Sequence, residues 1–491
     1  MSGHARQPSP ALLLLLLGLT GTGLGIWLHG RALAPSPETP APPAVAPTED
    51  LAAQVRLLEG QVEYLQGQNA VLEEENARLQ QRLAQGTSTG AARPASSDDD
   101  ADPPDFAGLS LDLLKFRRLQ ALPLTVTTAS QAEVEARILD WLRRRQPGDE
   151  APRLALALHA LGWIDRPVDP LPLRAALLAR QLGGWYDSGS GVLHVVDAAP
   201  APGKPAPDRP LAVAYGQLLR EYGSVLFPEK ARLSTDARLA REALMAGDAG
   251  LTRFLFSLEN PTGRPPKSIP AEDPDHPLNE VALPVFLREL YLHPFNRGFE
   301  FARDLHGTGG FAQLDAAYSR PPSGAAELAD PASFLSDQTA EPNPLSLPQL
   351  TAAGAPPYWD DCLGPFACQT ALRAYNSDEV AAAAVRGWRG DRLLAFAAPE
   401  HARDHALWQT LWQNEAQAGR FHTALRTCLL QRWDVEAEPG NETTLVLHPP
   451  GRSLRLQINQ GGRGVLLIDA ADDATASALQ EAVNAVSADA P

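Results

Sequence analysis

Leucine recurs every seventh residue at Leu51, Leu58, Leu65, Leu72 and Leu79, and a second seven-residue series interleaves with it at Val55, Val62, Asn69, Asn76 and Leu83. The first series sits at heptad position d and the second at a. Leucine at d with β-branched residues at a favours two parallel strands, and a buried asparagine at a fixes register and oligomer state. The flanking positions carry few charges: Gln54, Gln61, Gln68 and Glu75 at g, and Ala52, Glu59, Gln66 and Glu73 at e. Residues 49–85 are therefore predicted to form a parallel homodimeric coiled coil whose pairing is specified mainly by Asn69 and Asn76.

Both flanks of this stalk are low in complexity. Residues 34–48 are a Pro-rich linker, and residues 86–105 form a disordered linker with an acidic run at Asp98, Asp99, Asp100 and Asp102. Upstream, the stretch from Gln7 to Leu28 holds no charge and approaches the length that crosses a bilayer. Two fates compete for it. An Ala32-Leu33-Ala34 site resembles a signal-peptide cleavage site, which would release a secreted protein, but Pro35 would follow the cut and the apolar run is long. Trp27 suits the membrane interface. The reading taken is a retained anchor, with residues 1–33 as cytoplasmic tip and single-pass membrane helix and everything beyond extracytoplasmic.

From Phe106 the periodicity becomes that of a globular, mainly helical region. Helical spacing predicts elements at Gln131–Arg145, Arg153–Leu161 and Leu173–Leu182. Gly183 to Asp187 and Val192 to Asp197 flank a Ser-Gly-Ser-Gly turn and predict a β-hairpin. Ser319 to Tyr358, rich in Pro and Gly, reads as surface loop, followed by a helix from Asp404 to Arg432. Thr443–His448, Ser453–Ile458 and Gly464–Asp469 read as strands and Ala474–Val486 as a closing helix. The expected fold class is α+β, with a predominantly helical domain over 106–432 and a small α+β segment over 433–491.

Composition narrows the function classes. A formal charge of −17 on 491 residues repels polyanions, which excludes nucleic acid as a partner. The zipper-like stalk changes nothing here, because the text before it, PSPETPAPPAVAPTED, lacks the basic helix that a DNA-binding zipper needs. Cys362, Cys368 and Cys428 match no metal or redox spacing; buried thiols are the default, with a Cys362–Cys368 bridge as the other pairing the sequence admits.

One pair of histidines has ligand-like spacing. His401 and His405 stand four apart after Pro399, so a helix starting there would place both rings on one face. No third ligand accompanies them, and an exposed first turn with Glu400 and Asp404 at the positive helix end accounts for the same residues.

A series of blocks in fixed order carries a resemblance: GGWYD from Gly183, VLHVVD from Val192, EALMAGDAG around Gly247, HPFNRGFEF from His293, GTGGFAQLDAAYSRPPS from Gly307, DPASFL from Asp330, CLGPFA from Cys362 and GWRGDRLLAF from Gly387. Over roughly residues 110 to 430 the chain resembles bacterial extracytoplasmic zinc metallopeptidases of the HExxH, zincin-like kind. The resemblance implies a zincin-like core. It also exposes a departure. Where that family has its HExxH helix this chain reads LAVAYGQLLREYGS, with Tyr215 and Leu219 at the histidine positions, Gly216 at the general base and Ala246 at the third ligand. Zinc hydrolysis requires two imidazoles one turn apart, a carboxylate base and a third ligand, and none is present at these positions.

The expectation is a catalytically inactive, metallopeptidase-like binding or scaffold module, without cofactor, dimerised through its stalk, anchored in a membrane and holding a peptide or protein partner in the degenerate cleft. Two alternatives stand beside it. One is a working metal-dependent hydrolase that uses noncanonical ligands; the other is a structural envelope protein.

Overall fold

In the computed structural model, residues 106–488 are described except for 121–122, 147, 198–207, 230–231, 261–276, 337–349, 353 and 436–441. The anchor and stalk expectations, including every heptad residue from Leu51 to Leu83, fall outside the described residues. The fold is α+β, mainly helical, with two sheets.

The first layer surrounds a three-stranded sheet. After helix α1 (Phe106–Arg117) come β1 (Thr125–Ala129), α2 (Gln131–Arg145), α3 (Glu150–Ala160), α4 (Pro170–Leu182), β2 (Gly184–Asp187) and β3 (Val192–Val196). Local chemistry sets the boundaries. Ser130 and Glu133 form a reciprocal capping box at the start of α2, and Asp169 caps α4, which ends on Gly183 in the left-handed conformation. The predicted hairpin pairs antiparallel, Trp185 opposite His194, while β1 adds in parallel to β3. Helix α5 (Arg209–Leu226) then packs against this sheet, α6 (Thr235–Glu259) against α5, and α7 (Val285–Gly309) against α6.

The expected loop from Ser319 to Tyr358 is corrected. After α8 (Phe311–Ser319) the chain forms two short helices, α9 (Ala325–Ala329) and α10 (Pro331–Leu335). They bury Leu328 and Phe334 against the first core, an apolar anchoring that Gly and Pro content does not reveal.

The second layer is a six-stranded sheet in the order β4-β5-β6-β9-β8-β7. Its members are β4 (Trp359–Asp361), β5 (Trp388–Phe396), β6 (His405–Trp412), β7 (Thr444–Leu447), β8 (Ser453–Asn459) and β9 (Gly464–Ala470), with helices α11 (Gly364–Arg373), α12 (Asp378–Ala384), α13 (Glu415–Trp433) and α14 (Asp473–Ala488). Alternation along the strands gives the sheet two buried faces. Ala406, Trp408, Val465 and Leu467 join the core shared with α13, whereas Leu407, Leu466 and Ile468 join a separate core under α14.

Two expectations fail here for one reason. His405–Trp412 is a strand rather than helix, and the last three strands are not an appendage, because β9 hydrogen-bonds along β6 from Ala406↔Asp469 to Leu411↔Gly464. A strand buried on both faces reads as a continuous apolar run, which periodicity does not separate from a helix. The expected boundary at residue 432 therefore falls inside one sheet. All three cysteines are free thiols, so the Cys362–Cys368 bridge is not formed. Among the described residues no helix is long and apolar enough to cross a membrane.

Candidate functional site

Helix α5 starts on Asp208, whose carboxylate accepts the Leu211 N–H, with Pro210 in its first turn. Its neighbour α6 starts on Ser234, which caps Ala237. These two helices, with α4 and α7, bring together the positions singled out in the sequence. Tyr215 from α5 and Ala246 from α6 line one small cavity with Arg174, Glu242, Trp141, Trp185, Leu178, Pro294 and Phe295. Leu219 is buried in the same core without lining the cavity. Gly216 turns the other way: a Cβ there would meet Leu193 Cδ1 at 3.0 Å and Leu124 Cδ1 at 3.4 Å, so this position is where α5 presses on the hairpin.

The cavity encloses about 10 Å³, roughly the room of a single water and far below the volume a peptide needs. An ion pair sits in its wall. The Arg174 guanidinium, 3% exposed, bonds the Glu242 carboxylate and lies 4.8 Å from the centroid of the Tyr291 ring. Arg174 Nε and Trp185 Nε1 are buried without a hydrogen-bond partner. Burial pushes the Tyr215 phenol well above its ordinary pKa, with the Glu242 charge adding to the effect, so the group stays neutral.

These donors are a poor set for zinc. Glu242 is the only carboxylate lining the cavity and is held by Arg174, and a neutral phenol is a weak ligand. What the arrangement does well is pack: Trp185 lies 5.2 Å from Trp141 and 5.8 Å from Tyr215, centroid to centroid.

The neighbouring Gly-Asp-Ala block has a structural use. Asp248 is fully buried and accepts two bonds from Arg117, each 2.8 Å, together with one from Tyr318 Oη at 3.1 Å and one from Thr252 Oγ1 at 3.1 Å. Arg117 also reaches Asp315, which takes the Tyr222 hydroxyl, and the Tyr222 and Tyr318 rings stack 3.8 Å apart. Asp391 in the GWRGDR block is likewise structural, accepting the N–H groups of Leu363 and Gly364, the Trp408 indole and the Cys362 thiol.

The histidine pair does not start a helix. His401 lies exposed in a turn and His405 opens β6, with ring centroids 6.3 Å apart. His405 Nδ1 accepts the Ala471 N–H at 3.0 Å, and the nearby Asp472 carboxylate is spent capping Thr475. Among the described residues no group of three or more His, Cys, Asp or Glu is arranged to hold a metal.

Sequence reasoning missed a buried acidic joint. Asp236 on α6 accepts the Ala325 N–H, Asp361 on β4 accepts the backbone and hydroxyl of Thr235, and both lie near Asp391. Burial raises the Asp236 carboxyl to about 8, reinforced by the charges of Asp391, Asp361 and Glu327 and opposed by the Ala325 N–H. Asp361 is raised to about 7 by burial, against its bonds from Thr235. Sequence offers one faint signal: Gly324 and Gly364 stand where a Cβ would come within 2.2 Å and 2.0 Å of the Asp236 carboxylate.

A family model described as a domain of unknown function (DUF8575) matches residues 352–480, the stretch that holds the six-stranded sheet. No curated protein and no solved structure matches the chain.

Proposed function

We propose that this chain is a catalytically inactive, metallopeptidase-like head, carried outside the cytoplasm on a membrane anchor and a dimeric coiled-coil stalk, and acting as a scaffold or binding module. The observation that carries this reading is the shared cavity of Tyr215 and Ala246, which has room for about one water and is walled by the Arg174–Glu242 pair. Of the three positions that the resemblance aligns with zinc ligands, Tyr215 and Ala246 line this cavity and Leu219 does not. Tyr215 and Ala246 meet as packing residues beside a guanidinium, whose positive charge opposes a metal ion.

The same volume moves the partner surface. A peptide does not fit the old cleft, so recognition belongs to other faces of the head or to the spacing that the stalk imposes. The test is metal content by mass spectrometry on protein purified without chelator or metal affinity resin, exposed briefly to zinc and desalted. Near-zero zinc is the expected result. One tightly held zinc per chain would overturn the reading in favour of a hydrolase with noncanonical ligands, and would make His401→Ala with His405→Ala the next variant.

A further inference from the structure

Strand β1 is the edge of its sheet, paired on one side only, in parallel, from Thr125↔Val192 to Ala129↔Val196. Among the described residues no other segment bonds to its outer side. Natural edge strands are normally guarded by charge, proline, a bulge or extreme shortness, because an unpaired row of N–H and C=O groups templates further pairing. The sequence of β1, TVTTA, contains no charge and no proline, and Thr125, Thr127 and Thr128 are exposed. By contrast, the outer strand β4 is three residues long and carries Asp360 and Asp361.

The position of this edge points to its occupant. The N–H of Leu124, at the entrance to β1, donates to Ser110 Oγ at 2.8 Å, and Ser110 lies about one helical turn from Phe106, where the head begins. The open edge thus lies close to the point at which the linker enters. Residues 86–105 separate the heptad series from Phe106, so two chains joined by the proposed stalk would hold their β1 edges at high effective concentration. An edge without charged residues also adds no like-charge repulsion when two copies of it meet.

We propose that the two heads of one dimer pair β1 against β1 in antiparallel fashion about a two-fold axis, joining two three-stranded sheets into one. The proposal rests on the dimeric stalk put forward above. A pairing of five residues is too small to hold free heads together and depends on the tether. A two-fold contact is self-complementary, so full overlap of Thr125–Ala129 places Thr127 opposite its own copy.

The experiment introduces single cysteines into the full chain in detergent. Thr127→Cys probes the centre of β1, and Val446→Cys probes β7, another edge strand with an exposed apolar residue. Each variant is treated with a short bismaleimide and the covalent dimer read on a denaturing gel, with the native mass taken separately by light scattering; the unsubstituted chain controls for the native thiols. The expected result is a cross-linked dimer for Thr127→Cys at least about ten-fold above both the unsubstituted chain and Val446→Cys. A chain that is dimeric by scattering but gives no Thr127→Cys cross-link above these controls overturns the β1 pairing and leaves the stalk intact. Equal cross-linking at Val446→Cys overturns it as general edge adhesion. A monomeric chain removes the stalk and the pairing together.

Discussion

Gly247 and Gly298 meet backbone to backbone: a Cβ on Gly247 would stand 1.9 Å from the Gly298 carbonyl oxygen, and one on Gly298 would stand 2.1 Å from the carbonyl oxygen of Ala243. Helices α6 and α7 therefore cross at a distance only glycine permits, and the Gly of the Gly-Asp-Ala block is explained by that crossing. Gly298→Ala forces the helices apart along a well-packed core. Overpacking of this kind destabilises by about 1–3 kcal/mol, and a backbone clash puts this case at the upper end. The urea midpoint of Gly298→Ala should fall clearly, while Gly307→Ala on the same helix, which meets nothing within 4 Å, should stay near the parent value. Equal midpoints would show that the crossing relaxes freely.

Asp248 and Arg117 make a second prediction by subtraction. Asp248→Ala leaves a guanidinium 1% exposed with only Asp315 as carboxylate partner, and stripping one member from a buried pair destabilises by about 3–5 kcal/mol. Replacing both groups, Arg117→Met with Asp248→Leu, removes the stranded charge. Thermal melts should place the double variant above Asp248→Ala, and a double-mutant cycle that gave simple additivity would deny the coupling.

The acidic joint predicts how stability depends on pH. Asp236 keeps its proton in the fold up to about 8, whereas in the unfolded chain it releases it near the ordinary aspartate value of about 3.9. Between these values the folded state binds more protons than the unfolded state, so the contribution is fully present below about pH 4 and is lost as pH rises to about 8. Asp361, raised to about 7, acts in the same direction. Arg238, nearby on α6, opposes the rise at Asp361 without cancelling it. Each carboxyl contributes a slope of up to about 1.4 kcal/mol per pH unit within its window. Between pH 5 and 8, Asp236→Asn should lose less stability than the parent, measured by denaturant midpoints. Parallel profiles would remove Asp236 from the account.

These three sites differ in how visible they were. The helix Gln131–Arg145, the hairpin around Trp185 and the closing helix were legible, because their signals lie within a few adjacent residues. The partner of Asp248 was not legible: Arg117 lies 131 residues away, and no local pattern links the two. Strand β6 was misread because burial on both faces erased its alternation, and α9 and α10 because turn-forming residues hid the apolar contacts of Leu328 and Phe334. Tyr215 and Ala246 line one cavity although 31 residues separate them in the sequence. Arg174 and Glu242, which fill the space between them, carried no signal, since a buried ion pair is written in tertiary geometry.

The stalk gives the last prediction, and it separates assembly from folding. In residues 34–491, Leu65→Pro with Leu72→Pro interrupts two d positions, and each proline also removes a helical hydrogen bond at about 3 kcal/mol. If residues 49–85 pair as proposed, the two prolines break the pairing, and light scattering should report a monomer for the variant and a dimer for the parent. Tryptophan fluorescence should be nearly unchanged, because all nine tryptophans of the chain except Trp27 belong to the head. A dimer that persists would assign pairing to the head itself, through a surface larger than the five residues of β1. A monomer with native fluorescence would place dimerisation in Leu51 to Leu83, and would mean that any contact between heads depends on the tether.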